Sequence, residues 1–137
     1  MFHYKGGIFI YGGWNYITSF NSSIRYDIVK EEWQTTNLID ESFFVWNHCA
    51  LEVEAVPSWK YFIFAGSTGV FDETKSRERQ KCHSNIYVGD LDAQTISPVV
   101  LDSAIVKPPA VEDSSMIYHK FTKSLVIFGG WNNIWFG

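Results

Sequence analysis

An apolar four-residue run closed by two small residues occurs three times in this chain: Ile8-Phe9-Ile10-Tyr11-Gly12-Gly13-Trp14-Asn15, Tyr61-Phe62-Ile63-Phe64-Ala65-Gly66-Ser67-Thr68 and Leu125-Val126-Ile127-Phe128-Gly129-Gly130-Trp131-Asn132. An internal repeat narrows the choice of fold more than composition does. Each copy must form the same supersecondary unit, and neighbouring units must bury one another's apolar faces. The runs are β-branched and aromatic with no polar alternation, which suits a strand covered on both faces. The small pairs suit a strand end where φ turns positive or two backbones approach closely.

A second element recurs downstream. The stretch from Ile24 through Tyr26, Asp27 and Trp33 corresponds to that from Tyr87 through Gly89, Asp90 and Ile96, with an Asp six positions before a large apolar residue in both. The polar residues between them read as a tight turn joining antiparallel strands. Upstream of the second and third small pairs lies a further strand, in 47–55 and 114–120, linked to the next by Pro57-Ser58-Trp59-Lys60 and Phe121-Thr122-Lys123-Ser124. Each unit therefore has four strands. The spacing between Ile10, Ile63 and Ile127 is uneven, and the extra length falls in 67–84 and 101–112, neither of which carries a helical apolar period. The expectation is an all-β chain with almost no helix, divided into a unit at 1–40 lacking most of its first strand, a complete unit at 44–100 and half a unit at 113–137.

Composition limits the functions. A chain that is 46% hydrophobic and 18% aromatic has ample material for a packed core. A net charge of −4 with 11 scattered Lys and Arg offers no basic footprint, so nucleic acid is not expected as a partner. Two cysteines, Cys49 and Cys82, fit a reduced, cytoplasmic chain better than a disulfide-stapled one. The first residues enter strand-like sequence with no basic leader, and the longest charge-free stretch, 6–24, is broken by Asn, Ser and Thr, so no membrane span is expected. His48-Cys49 and Cys82-His83 are the one set that would supply a tetrahedral metal site, but neither pair has an internal ligand spacing. The expectation is no metal. Neither a phosphate-binding loop nor a nucleophile elbow is present, and no cofactor is expected.

The combination of Gly12-Gly13, Tyr26-Asp27 and Trp33 resembles the kelch repeat, with Gly129-Gly130 opening a third copy. The second unit departs from it by having Ala65-Gly66, Gly89 before Asp90, and Ile96 in the Trp position. The resemblance implies antiparallel four-stranded blades of a β-propeller, here an incomplete ring, since propellers have about 4 to 8 blades. The remaining blades would come from a longer sequence or from other chains. It implies a protein-interaction module of the cytoplasm or the cytoskeleton. A subunit packed permanently in a cytoskeletal or ciliary assembly is the alternative, and a copper oxidase similar to galactose oxidase is the third. Catalysis is not expected, because Tyr11, Tyr26, Tyr61 and Tyr87 occupy strand positions that packing explains.

In kelch proteins the loops after the Gly-Gly strand and those joining blades share one face, which implies a docking surface built from 14–22, 67–84 and the residues from 131 on, with the links 37–46 and 101–112. Trp33 is expected between neighbouring blades. Trp14 and Trp131 follow the glycines and lie either at the core rim or on that face. The long insertion 67–84 is expected to be the principal contact, with Phe71 as apolar anchor and Arg77 and Arg79 as carboxylate ligands.

Overall fold

The computed structural model describes residues 1–36, 44–54, 59–69, 81–102 and 106–132, and every regular element among them is a β-strand. Strands β1 (Phe2–Tyr4), β2 (Gly7–Tyr11), β3 (Ser23–Asp27) and β4 (Glu32–Thr36) form a four-stranded antiparallel meander. A second meander follows from β5 (Cys49–Val53), β6 (Lys60–Phe64), β9 (Ile86–Asp90) and β10 (Thr95–Pro98). Between β6 and β9, β7 (Ser67–Thr68) pairs with β8 (Lys81–Cys82) as a short ribbon. The last pair, β11 (Glu112–His119) and β12 (Ser124–Trp131), is an antiparallel hairpin.

The two aspartates of the repeat close equivalent turns. Asp27 Oδ1 accepts the N–H groups of Val29 and Lys30 at 3.1 and 3.0 Å, and Asp90 Oδ1 accepts those of Asp92 and Ala93 at 2.9 Å each. This local bonding gives the backbone an alternative to the ladder at that point and ends the strand. In each turn the other carboxylate oxygen holds a cation, Arg25 at 2.8 Å and Lys60 at 2.6 Å.

The departure at Gly89 has a spatial cause. A Cβ at Gly89 would lie 1.9 Å from the Tyr61 ring, and Tyr61 is the cross-strand partner of Gly89. In the first sheet the corresponding pair is Ile8 opposite Tyr26. The aromatic ring has moved from the third strand to the second, and glycine clears the space beneath it. Tyr61 is fully buried and its hydroxyl donates to the Thr95 carbonyl at 3.2 Å. Burial raises its pKa, reinforced by Tyr11.

The sheets are layered. Phe2, Tyr4, Phe9 and Tyr11 project from the first sheet into a core shared with Val45, Tyr61, Ile63 and Leu91. Phe2 stacks on Phe9 and Tyr61 with ring centroids 5.5 and 5.2 Å apart, and Tyr4 lies 5.5 Å from Trp59. Each such buried aromatic contributes roughly 1.5–3 kcal/mol. At the rim, Asp92 accepts from the Tyr4 hydroxyl and from Lys5 Nζ at 2.7 Å, joining the two sheets. A second cluster of Phe64, Ala65 and Val111, with Cys49, Ile86, Met116 and Ile127 against it, lies between the second sheet and the hairpin.

The three small pairs share one backbone geometry. φ is +66° and +113° at Gly12 and Gly13, +61° and +90° at Ala65 and Gly66, and +70° and +104° at Gly129 and Gly130. The second residue's N–H crosses to the next unit, Gly13 to the Val45 carbonyl at 2.8 Å and Gly66 to the Val111 carbonyl at 2.9 Å. Val45-Trp46-Asn47 and Val111-Glu112-Asp113 are thus equivalent lead-ins. Asn47 and Asp113 both have positive φ, +52° and +55°, a conformation their short polar side chains tolerate.

Trp33 does not lie between two sheets of this chain. Its ring rests 5.1 Å from Tyr26 on the outer face of the first sheet, and it is largely exposed. No helix among the described residues is long and apolar enough to cross a membrane.

Candidate protein-binding face

The backbone reversal at Gly12-Gly13 directs the chain out of β2 into the 14–22 loop. This loop is anchored at its base: Gly12 N–H donates to Ser22 O at 2.9 Å, Phe20 N–H to Gly13 O at 2.9 Å, and Val45 N–H to Phe20 O at 3.2 Å. Its tip is organised by Asn15, whose Oδ1 accepts from Ile17 and Thr18 N–H at 3.0 and 2.8 Å. Trp14 and Ser19 form a bridge across the loop. Between them Tyr16 is held at φ +73°, an uncommon conformation for an aromatic residue and one that costs free energy. Ser19 adds a tether to the root of the second loop, donating to Gly69 O at 3.1 Å.

This framework supports a row of rings. Trp14 stacks on Trp46 of the lead-in at 4.9 Å and 22°, and Tyr16 lies 5.1 Å from Trp14. The Trp46 Nε1 atom is buried without a hydrogen-bond partner among the described residues, an unfavourable placement for a polar group. Tyr16, Ile17, Phe20 and Phe44 are exposed around the stack, and residues 14–20 and 44–46 carry no charged side chain. The loop therefore combines a well-bonded backbone with apolar side chains turned to solvent. Scattered apolar residues are ordinary on a surface, whereas a contiguous aromatic group on a rigid loop has the chemistry of a binding anchor.

The structure distributes the other sequence-derived candidates differently. Trp131 occupies the position in its unit that Trp14 has in the first, but it pairs with Glu112 on the hairpin and is not part of the Trp14 stack. Phe71, Arg77 and Arg79 lie outside the described residues. The insertion that carries them has paired ends, β7 with β8, where an irregular loop was expected from 67 to 84. Trp46, Tyr16 and Phe20 were not singled out from sequence. Trp46 was hidden because its ring meets Trp14 only through the lead-in bonds between separate units.

The cysteine and histidine pairs belong to packing. Cys49 Sγ lies 3.4 Å from Ser114 Oγ and 3.6 Å from the Phe64 carbonyl, while Cys82 Sγ lies 3.5 Å from Ser67 Oγ. Burial raises the Cys49 pKa and lowers those of both histidines, to about 4 for His48. Among the described residues no three His, Cys, Asp or Glu side chains gather in a way that would hold a metal ion. Buried Ser67 donates instead to buried Glu112 at 2.6 Å, joining the β7–β8 ribbon to the hairpin.

Over 131 residues, 95% of this chain, the sequence is 27% identical to the dynein alpha chain of the flagellar outer arm of Chlamydomonas reinhardtii. The matched stretch is 3% of that protein. No protein-family model matches the chain.

Proposed function

We propose that the chain is part of a kelch-type β-propeller and that its loop face, centred on Trp14, Tyr16 and Trp46, docks another protein. The observation that carries this reading is the pairing of a strained, side-chain-bonded loop with an exposed ring stack, because the backbone strain costs folding free energy and the exposed rings return none of it until a partner buries them. The recurrence of one φ pattern at the ends of β2, β6 and within β12, together with lead-ins that tie each unit to the next, supports the propeller arrangement. In that arrangement the loops vary at little cost to the scaffold, so specificity resides there.

A second reading has its own support. The similarity to an outer-arm dynein chain, spread over nearly the whole of this sequence, favours a subunit or segment packed within a cytoskeletal or ciliary assembly. In that case the same face is a permanent contact and the protein is cytoskeletal as well as cytoplasmic. In neither reading is the protein an enzyme.

Site-specific photocrosslinking in the intact protein tests the docking face. A photoreactive residue at Tyr16 is expected to capture a partner that one at Phe121, on the hairpin turn, does not. Trp14→Ala is expected to abolish the Tyr16 product while leaving the fold intact. Equal capture at both positions, or capture indifferent to Trp14→Ala, refutes the assignment.

A further inference from the structure

Ser19 is only 3% exposed, in a loop whose other residues from 14 to 20 all reach solvent. Its hydroxyl donates to the Gly69 carbonyl at 3.1 Å and accepts the Gly69 N–H at 3.3 Å. One side chain thus satisfies both backbone polar groups of the residue that follows β7. A buried serine bonded to backbone is ordinary in itself. The place of this one in a closed circuit of contacts is not. Trp14 bridges Ser19 across the loop, and Ser19 holds Gly69. Back along β7, Ser67 exchanges both backbone bonds with Trp46, at 2.8 and 3.0 Å, and the Trp46 ring stacks on Trp14 at 4.9 Å. The circuit returns to the ring from which it began, and the Ser67 bond to Glu112 anchors it to the hairpin.

We infer that Ser19 is a positioning residue for the docking face: by fastening the 14–22 loop to the root of the second loop, it sets Trp14 against Trp46 and so presents Tyr16, which lies 5.1 Å from Trp14. The backbone bonds among Gly13, Phe20 and Val45 fix where the loop leaves its strand, but they are main-chain bonds at its base and set no ring plane. The Ser19 hydroxyl adds the tie between the two loops. Without it the Gly69 groups turn to water and the loop pivots about its base, so the stacked arrangement is formed for only a fraction of the time. A partner that needs that arrangement then binds more weakly by the same fraction. Every member of the circuit lies in the first two units, and its contacts are internal to them. The functional consequence rests on the docking-face reading, whereas the ring geometry is a property of the chain alone.

Circular dichroism of the purified protein reads the stack without any partner, because two indoles 4.9 Å apart couple their transitions, and the coupled signal lost in Trp14→Phe is assigned to the pair. Ser19→Ala is expected to remove most of that signal and to weaken capture at Tyr16 about tenfold, the effect of a stack formed about one-tenth of the time. Ser19→Thr, which keeps the hydroxyl, is expected to restore both. A serine with a merely structural role would lower the unfolding midpoint and leave the coupled signal of the folded protein in place. Should Ser19→Ala lose its β-sheet signal, Gly69→Pro deletes the N–H arm of the tie from the other loop and is expected to weaken the same coupled signal. A coupled signal that persists in whichever of these variants folds overturns the inference, as does undiminished capture at Tyr16 once the signal is gone. If the signal depends on Ser19 but the unaltered protein captures nothing at Tyr16, the docking face alone is refuted and Ser19 stands as the residue that sets the stack.

Discussion

Moving the aromatic ring from position 61 to position 89 asks whether the glycine of the second sheet is a compensated departure from the repeat. Gly89→Tyr alone places a side chain where the Tyr61 ring lies 1.9 Å from the ideal Cβ position. Tyr61 is fully buried and has no free volume to enter, so overpacking is expected to cost about 4 kcal/mol or more, at the severe end for single substitutions. Tyr61→Ile alone removes most of a buried ring, at about 2–4 kcal/mol, and its hydroxyl bond to Thr95, at about 1 kcal/mol. The double variant restores the Ile8 and Tyr26 arrangement of the first sheet, with the ring on the third strand. It is expected to be more stable than Gly89→Tyr alone by about 2 kcal/mol or more, a coupling of the size found for residues in direct contact. Urea denaturation of the four proteins at matched m-values measures the cycle. A double variant no more stable than Gly89→Tyr alone would show that the two positions do not compensate, and the spatial explanation of Gly89 would fail.

Two further outcomes follow from the geometry. Gly66→Ala meets both a φ of +90° and contacts of 2.5–2.8 Å with Val45, His48 and Trp46, and is expected to cost about 2–5 kcal/mol, whereas Gly129→Ala, at +70° with open space around it, is expected to cost about 1 kcal/mol; equal losses in midpoint would remove the close approach as the cause. Burial holds the His48 pKa at about 4 against an ordinary 6.5, so the folded state takes up its proton later than the unfolded state does, and stability present above pH 6.5 is expected to fall as pH drops towards 4. His48→Phe is expected to flatten that part of the denaturation profile, and a variant with the same pH slope as the unaltered chain would refute the assignment.

Much of the fold was legible in the residues themselves. The Gly12-Gly13 and Ala65-Gly66 pairs marked strand ends, and Gly129-Gly130, which lie within β12, share their φ pattern, because positive φ restricts the residues a position accepts; Asp27 and Asp90 marked turns because a short carboxylate bonds its own backbone. These are local constraints, and local constraints leave a trace in sequence. The site was less legible. Trp14 was singled out by its place after the glycines, but its partner Trp46 and the strained tip at Tyr16 were not, and the expected weight on Phe71, Arg77 and Arg79 followed loop length, which says nothing about where side chains meet.

By itself, then, the sequence determined the antiparallel units, their strand number, their turns and the order in which they follow one another, each through a preference acting over a few residues. Only the tertiary structure decided that Tyr61 stands in for a missing ring at Gly89, that Val45 and Val111 stitch one unit to the next, and that Trp14 meets Trp46. Those outcomes depend on which faces of separate units come within van der Waals or hydrogen-bond distance, and packing between residues far apart in the chain sets that distance, while no short-range preference encodes it.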